Sequence, residues 1–385
     1  MKIDQPWLRT PATRNVCIAL SDGGAEVFFV GGCVRNALLK EPVSDLDLAT
    51  SLSPQDVLER ANRAGLKAVP TGIEHGTVTI LSEGQPFEVT TFRKDVATDG
   101  RRAVVAFSSS VREDAQRRDF TMNAIYARPD GEVVDPLDGL SDLHARRVRF
   151  IGDASTRIKE DYLRILRYFR FHCWYGKPED GFDPEALAAI AETQDGLEQL
   201  SRERVGVEIV KLLSAHDPAP CVAAMRQIGV LARVLPGAND RALAPLIHLE
   251  GDLAPQAETR LATLGSETLQ ADLRLSKAMS ERIRLLRDLA VGSTSPSELA
   301  YRHGAETAKR ALILRAALLE TSLQPTLETD ISIGAAAIFP VAAKDLMPRV
   351  SGPALGRALR ALEAEWIESG FVLTREELIA TLRPD

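Results

Sequence analysis

The segment Val43-Ser-Asp-Leu-Asp-Leu-Ala-Thr50 places two carboxylates, Asp45 and Asp47, two residues apart in an alternating apolar–polar pattern. Alternation is the period of a β-strand. It predicts both acids on one face, roughly 6 to 7 Å apart at Cα, with Leu46 and Leu48 on the other face. Side-by-side carboxylates on a rigid strand repel each other, and a divalent cation removes that penalty. Taken alone, such a pair is more often two solvated acids at a strand end, so its surroundings decide. Glu88 is the third acid to weigh. It stands mid-strand in Phe87–Phe92, opposite the face of Phe87, Val89 and Thr91. It reads as an edge-strand charge or, beside the Asp pair, as a third metal ligand.

Other elements must position these acids. Val27-Phe-Phe-Val30 reads as a short buried strand running into Gly31-Gly32 and a helix through Leu39. Glycines at a strand–helix junction let backbone N–H groups approach a phosphate, although a plain tight turn has the same spelling. Helix Pro54–Ala64 follows, then a hairpin of strands Gly76–Leu81 and Phe87–Phe92 around the turn Ser82–Pro86. Arg93–Ser110 reads as a polar, mobile loop, and Arg117-Arg118-Asp119-Phe120-Thr121-Met122-Asn123-Ala124 as a polar cluster entering a helix. Asp135–Gly139 is a turn. From about Asp153 the pattern is helical to the end. In Arg157–Arg170, read as one helix, Arg157, Asp161 and Arg164 share a face, either as a surface ladder or as a recognition surface. Further helices are expected at Ser201–Leu213, Cys221–Leu235 and near 240–262, 268–290, 296–320 and 353–384.

At 385 residues the chain is long for one core. Its net charge of −7 is not that of a general nucleic-acid binder, yet Arg146–Arg170 carries eight Lys or Arg against three acids. Cys17, Cys33, Cys173 and Cys221 form no CxxC pair, which predicts reduced thiols. Met1–Thr10 has no apolar run of a secretory signal, and no segment approaches the ~20 apolar residues of a membrane span. These features predict a cytoplasmic protein.

Five motifs occur in order: Gly31-Gly32-x-Val34-Arg35, Asp45-x-Asp47, Glu88 within Glu-Val-Thr-Thr-Phe-Arg93, Arg117-Arg118-Asp119-Phe120-Thr121-x-Asn123-Ala124, and Glu160-Asp161-x-x-Arg164. Together they resemble the class II tRNA nucleotidyltransferase/poly(A) polymerase family, over roughly residues 25–235 and including Ser201-Arg-Glu-Arg-Val. The His75-Gly76-Thr77-Val78 and Glu88 segments look more like its CCA-adding members. One departure is Asn36, where the family pattern usually carries Asp. The carboxyl-terminal third matches only in being helical.

The resemblance implies an α+β fold: a nucleotidyltransferase (polymerase β-like) head with a small mixed sheet, then an all-α neck, body and tail. The expected boundaries are 1–150, 151–215, 216–310 and 311–385. It implies template-independent addition of C, C and A to the 3′ end of tRNA from CTP and ATP, releasing pyrophosphate. Two Mg²⁺ ions would be held by Asp45 and Asp47, with Glu88 completing the site. Gly31, Gly32 and Arg35 would bind the triphosphate, with Arg157 and Arg167 as further candidates. Asp119 and Asn123 would position the ribose or phosphates, and Arg118 would contact the base or the linking region. Asp161 would accept from the exocyclic amine that C and A share, and Arg164 would donate to the adjacent ring nitrogen. G and U present a carbonyl to the carboxylate and would be rejected. The tRNA acceptor arm is the expected partner, with no membrane and no protein partner implied. A poly(A) polymerase, a partial enzyme adding only C or only A, and an RNA-binding protein with a retired active site remain alternatives.

Overall fold

The computed structural model describes residues 1–99, 102–266, 268–347 and 349–382. The chain divides into two compact units, Met1–Val234 and Leu235–Asp385. In the first, α1 (Pro11–Ser21) leads to β1 (Val27–Val30), whose four residues are all buried. Then come α2 (Gly32–Leu39), β2 (Asp47–Thr50) and α3 (Pro54–Arg63). Helix α3 begins where it does because Ser53 and Asp56 form a capping box ahead of Pro54. Strands β3 (Lys67–Gly72), β4 (Thr77–Ser82) and β5 (Gln85–Thr91) follow. With β8 (Tyr126–Ala127) and β9 (Val133–Val134) they complete a seven-stranded sheet of order β3-β4-β5-β2-β1-β8-β9. The β2–β5 pair is parallel and the others are antiparallel. Phe28, Val30, Ala49, Phe92 and Tyr126 form the core on one face.

Several local expectations change. Asp45 lies exposed just ahead of β2, while Leu46 and Leu48 are buried as the alternation requires. The hairpin turn tightens to Glu83-Gly84, both at positive φ, the two-residue connection that suits the strand twist. Strand β5 lies between β4 and β2, so Glu88 is not an edge-strand charge. The polar loop is instead an antiparallel ribbon of β6 (Arg93–Asp99) and β7 (Arg102–Phe107); Gly100 and Arg101 lie outside the described residues.

The Arg117–Ala124 cluster does not open a helix. It follows α4 (Val111–Gln116), turns, extends at Phe120 to bridge Phe150, and closes in a short 3-10 turn at Thr121–Asn123. Asp135 then accepts from the N–H groups of Gly139 and Leu140, the first residues of α5 (Gly139–His144).

Arg157–Arg170 is not one helix. It breaks between α6 (Ala154–Glu160) and α7 (Leu163–Tyr175), with Asp161 extended at φ −155°. Asp161 Oδ1 accepts the Leu163 N–H at 3.1 Å and so caps the second helix. Tyr162 lies so close to Gly196 that a Cβ there would fall 2.0 Å from its ring. The unit continues with α8 (Pro184–Thr193), α9 (Arg202–Leu213), α10 (Ala219–Gln227) and α11 (Val230–Val234). The expected Cys221–Leu235 helix is thus two, parted at Gly229, φ +90°.

The second unit is helical throughout its described elements, and the longer expected helices are again divided. Pro296–His303 and Ala305–Leu318 meet at Gly304, for example. One core gathers Leu299, Ala308, Leu312, Leu327 and Ile331, and another centres on Trp366 with Leu346, Leu362 and Leu378. Arg260 and Glu250 form a buried ion pair at 2.7 Å. Among the described residues no helix is long and apolar enough to cross a membrane.

Candidate active site

The carboxyl end of β1, the start of α2 and the start of β2 open onto a cleft of about 590 Å³. Gly31 and Gly32 form one wall. Gly31 has φ +72° and ψ −123°, a conformation that strains any side chain, and a Cβ there would approach Arg118 Nη1 at 3.9 Å. Asp45 and Asp47 form another wall. In the parallel β2–β5 pair Asp47 is in register with Glu88. Burial, with repulsion from Glu88 and Asp45, raises the Asp47 carboxyl to about 6, against a smaller opposing pull from Arg118.

Arg35 is 6 % exposed, and its direct acceptors are all neutral. Nη1 donates to Asn123 Oδ1 at 2.6 Å, Nη2 to Tyr175 Oη at 2.8 Å, and Nη2 and Nε to Asn36 Oδ1 at 2.9 and 3.2 Å. The guanidinium also lies over the rings of Tyr175, 4.1 Å away, and Phe171, 5.1 Å away. Burial pushes its pKa down. Among the described residues this buried cation has no ion pair, and burying an unpaired charge is costly.

Asp119 and Asn123 are engaged with the protein. Asp119 Oδ1 accepts from the Phe120 N–H at 2.8 Å and Asn123 Nδ2 at 2.9 Å, and Oδ2 from Arg167 Nε at 2.7 Å. Burial alone would raise this carboxyl; Arg167, Asn123 and the Phe120 amide overcome it and hold it at about 2. Arg118 is fixed from beneath. Its Nη2 donates to Asp114 Oδ2 at 3.0 Å and its Nε to Tyr126 Oη at 3.0 Å, while Tyr126 donates to Asp114 at 2.7 Å. Asp114 is likewise held at about 2, where burial is outweighed by Arg118, Arg117 and Tyr126.

The structure therefore brings Gly31, Gly32, Arg35, Asp45, Asp47, Arg118, Asp119, Asn123 and Arg167 around one cleft. Glu88 adjoins it through Asp47. Arg157, Asp161 and Arg164 do not line it. Because the helix breaks at Asp161, that acid leaves the expected shared face, while Arg157 and Arg164 still meet at Glu160. Asp161 pairs with Arg204 at 2.7 Å, and Arg164 donates to Glu160 at 2.6 Å and to the carbonyl oxygens of Arg157 and Arg117. Arg157 pairs with Glu160 at 3.0 Å. Sequence reasoning missed Arg170, Phe171, Trp174, Tyr175 and Lys211, which also line the cleft. Continuing the α7 periodicity from Arg167 to Arg170, Phe171 and Trp174 would have found three of them.

Among the described residues no three His, Cys, Asp or Glu side chains form a metal-holding group. Asp45 and Asp47 still suit hard cations that take few protein carboxylates and complete their shell with substrate phosphates. The Asp47 carboxylate has no hydrogen-bond or ion-pair partner among the described residues, and the only one for Asp45 is its neighbour Ser44, at 3.0 Å.

Residues 27–149 match the Poly A polymerase head domain, and residues 181–241 the probable RNA and SrmB-binding site of polymerase A. The human mitochondrial CCA tRNA nucleotidyltransferase 1 is 33 % identical over all of this chain and 93 % of its own length. The Danio rerio enzyme of the same name is 32 % identical over 93 % of this chain and 87 % of its length. The chain belongs to the CCA tRNA nucleotidyltransferase family. A CCA-adding enzyme of Limosilactobacillus reuteri is 42 % identical over 57 % of this chain and 53 % of its own. The Bacillus stearothermophilus CCA-adding enzyme, solved in complex with CTP, shares 27 % identity with a TM-score of 0.72 over 94 % of each chain. Family membership accords with the fold expected from the sequence: a nucleotidyltransferase head with a mixed sheet, followed by helices.

Proposed function

We propose that this CCA tRNA nucleotidyltransferase family member adds C, C and A in turn to the 3′ end of tRNA, using CTP and ATP and releasing pyrophosphate. One observation carries the reading. The cleft holds the unpartnered carboxylate of Asp47 and the buried guanidinium of Arg35, which has no ion pair among the described residues. These opposite charges do not neutralise each other. A metal-bound triphosphate would satisfy both.

Asp45 and Asp47 would hold two divalent cations, expected to be Mg²⁺, with Glu88 supporting Asp47. When bound, the cations would offset charge on the α-phosphate and ease deprotonation of the RNA 3′ hydroxyl. Gly31 and Gly32 leave room for backbone approach to the phosphates, and Arg35 and Arg118 would hold them. Asn123, Asp119 and Arg167 would act one step back, since their polar atoms are committed to Arg35 and to one another. Asp161 and Arg164 remain the candidates for reading the pairing edge, which requires exchange of their present partners. The division into head 1–150, neck 151–215, body 216–310 and tail 311–385 belongs to this reading, with the helical parts gripping the acceptor arm and the enzyme working in the cytoplasm.

The test is primer extension with Mg²⁺ on tRNA ending at the discriminator base, at C and at CC, with the four nucleotides offered singly and together. Two C residues, then one A, then arrest is the expected product. A long A run would mean a poly(A) polymerase, and only C or only A a partial enzyme. No metal-dependent incorporation would leave an RNA-binding protein.

A further inference from the structure

The basic stretch Arg146–Arg170 divides between two places. Arg157 and Arg164 meet at Glu160, Arg167 pairs with Asp119, and Arg170 with Glu208. Those four are committed to neighbouring acids, and Lys159 stands exposed on α6. Arg146, Arg147 and Arg149 instead line a second cavity, of about 490 Å³, together with Lys177. His172 and Phe182 line it too, their rings stacked with centroids 4.1 Å apart. Helix α7 gives Phe171, Trp174 and Tyr175 to the catalytic cleft and His172 to this cavity, so the two openings lie on different faces of one helix. Burial holds the His172 imidazole at about 4, which leaves the ring uncharged near neutral pH.

The nearby acids do not cancel these cations. Arg147 and Arg149 share the one buried carboxylate of Asp142, at 3.7 and 2.8 Å, which also accepts from Thr121 Oγ1. Arg146 pairs with Glu41 at 3.9 Å, in the segment that runs on to Asp45. Lys177 pairs with Asp180 at 3.4 Å, and Asp183 caps α8 by accepting the Glu185 N–H. Four cations against these last two acids leave the lining positive. Cations set around an aromatic pair suit a nucleic-acid strand, whose phosphates take the charges while a base can lie on a ring. We propose that this cavity is a second RNA contact, outside the catalytic cleft, that takes backbone phosphates of the tRNA substrate. The identity of the RNA rests on the nucleotidyl-transfer reading above.

The test is the double variant Arg147→Glu/Lys177→Glu in the full-length protein. Both side chains are more than half exposed, and Asp142 keeps its closer partner Arg149. Binding of tRNA ending at the discriminator base is read by anisotropy over a range of KCl concentrations, without nucleotide. Kd should rise about tenfold or more, and the slope of log Kd against log salt should shrink by about two, one per lost phosphate contact. KM for tRNA should rise in step, while KM for CTP at saturating tRNA stays parental. Arg14→Glu/Lys67→Glu, on α1 and β3, makes the same change of net charge elsewhere and should bind nearly as the parent does. A parental Kd and slope in the Arg147/Lys177 variant, or a loss no larger than that of the Arg14/Lys67 control, would overturn the proposal. So would a raised KM for CTP with parental tRNA binding, which would join the cavity to the catalytic cleft. If the parent incorporates no nucleotide, the transfer reading fails, while the binding measurement still decides whether the cavity holds RNA. If the double reversal does not fold, Arg147→Gln/Lys177→Gln decides by the same change of slope.

Discussion

Asp161 accepts a 2.7 Å hydrogen bond from Arg204 across the gap between α7 and α9, one residue beyond the Glu160 that holds Arg164. The two side chains proposed to read a nucleobase are thus each held by another residue. The Asp161–Arg204 pair is about one-third exposed on both sides, so it is worth at most ~1 kcal/mol and is readily exchanged. Asp161→Ala should cost selectivity, together with about 1 kcal/mol of stability from the lost cap on α7. Misincorporation of G and U, measured by sequencing products, should rise about tenfold or more, with only a small fall in the unfolding midpoint. Equal discrimination in parent and variant would remove Asp161 from base reading.

Asp45→Ala and Asp47→Ala should abolish incorporation while sparing tRNA binding, read by filter retention or anisotropy. Incorporation at a tenth of the parental rate or better would sink the metal assignment.

Asp47 yields a second expectation, of opposite sign for stability. Its folded pKa of about 6 lies above the ordinary 3.8, so the folded state binds the proton more tightly than the unfolded state does. Stability without metal then falls as pH rises from 3.8 to about 6, and stays reduced above that. Asp47→Asn should stabilise the metal-free protein at neutral pH by on the order of 2 kcal/mol, measured by urea unfolding in EDTA. Near pH 4 the gain should vanish.

The same titration should govern the proposed metal site. A protonated Asp47 cannot bind a cation, so the Mg²⁺ midpoint should rise steeply as pH falls below about 6. Excess Mg²⁺ should move the acid limb of the rate profile to lower pH. A limb indifferent to Mg²⁺ would assign the titration to another group.

Asp119 should behave as the reverse case. Its folded carboxyl, near 2, lies below the ordinary 3.8, so its contribution is present above 3.8 and is lost as pH falls through about 2. Asp119→Ala removes the acceptor for Arg167, Asn123 and the Phe120 amide, and should destabilise the protein by about 3 kcal/mol. It should also raise KM for CTP and ATP together, because Asn123 in turn holds Arg35.

Much was legible in the chain because it rests on short-range rules. The Val27–Val30 strand, the Gly-Gly junction and the α3 start follow from apolar runs, glycine and capping chemistry. The alternation around Asp47 shows in buried Leu46 and Leu48 even though Asp45 falls outside the strand. Helical periodicity also located most of the second unit's helices, but it missed Leu327–Ala336 and Ala343–Leu346 and merged others, since it does not register a break until a residue such as Gly304 supplies one.

What sequence could not supply is partnership. Whether Glu88 stood at an edge or beside Asp47 depended on strand order, which is set by non-local pairing. Arg157–Arg170 has the spacing of one helix, but Asp161 caps a new one, with Tyr162 seated against Gly196 from a distant segment. The sequence by itself determined the residue types of the cleft and the local elements that carry them, because those depend on near neighbours along the chain. Only the tertiary structure decided which charges are spent on one another and which are left for a ligand. A charge's partner is set by distance in space: Asp119 is spent on Arg167, 48 residues away, while Asp47 and Arg35 line the same cleft without such a partner among the described residues.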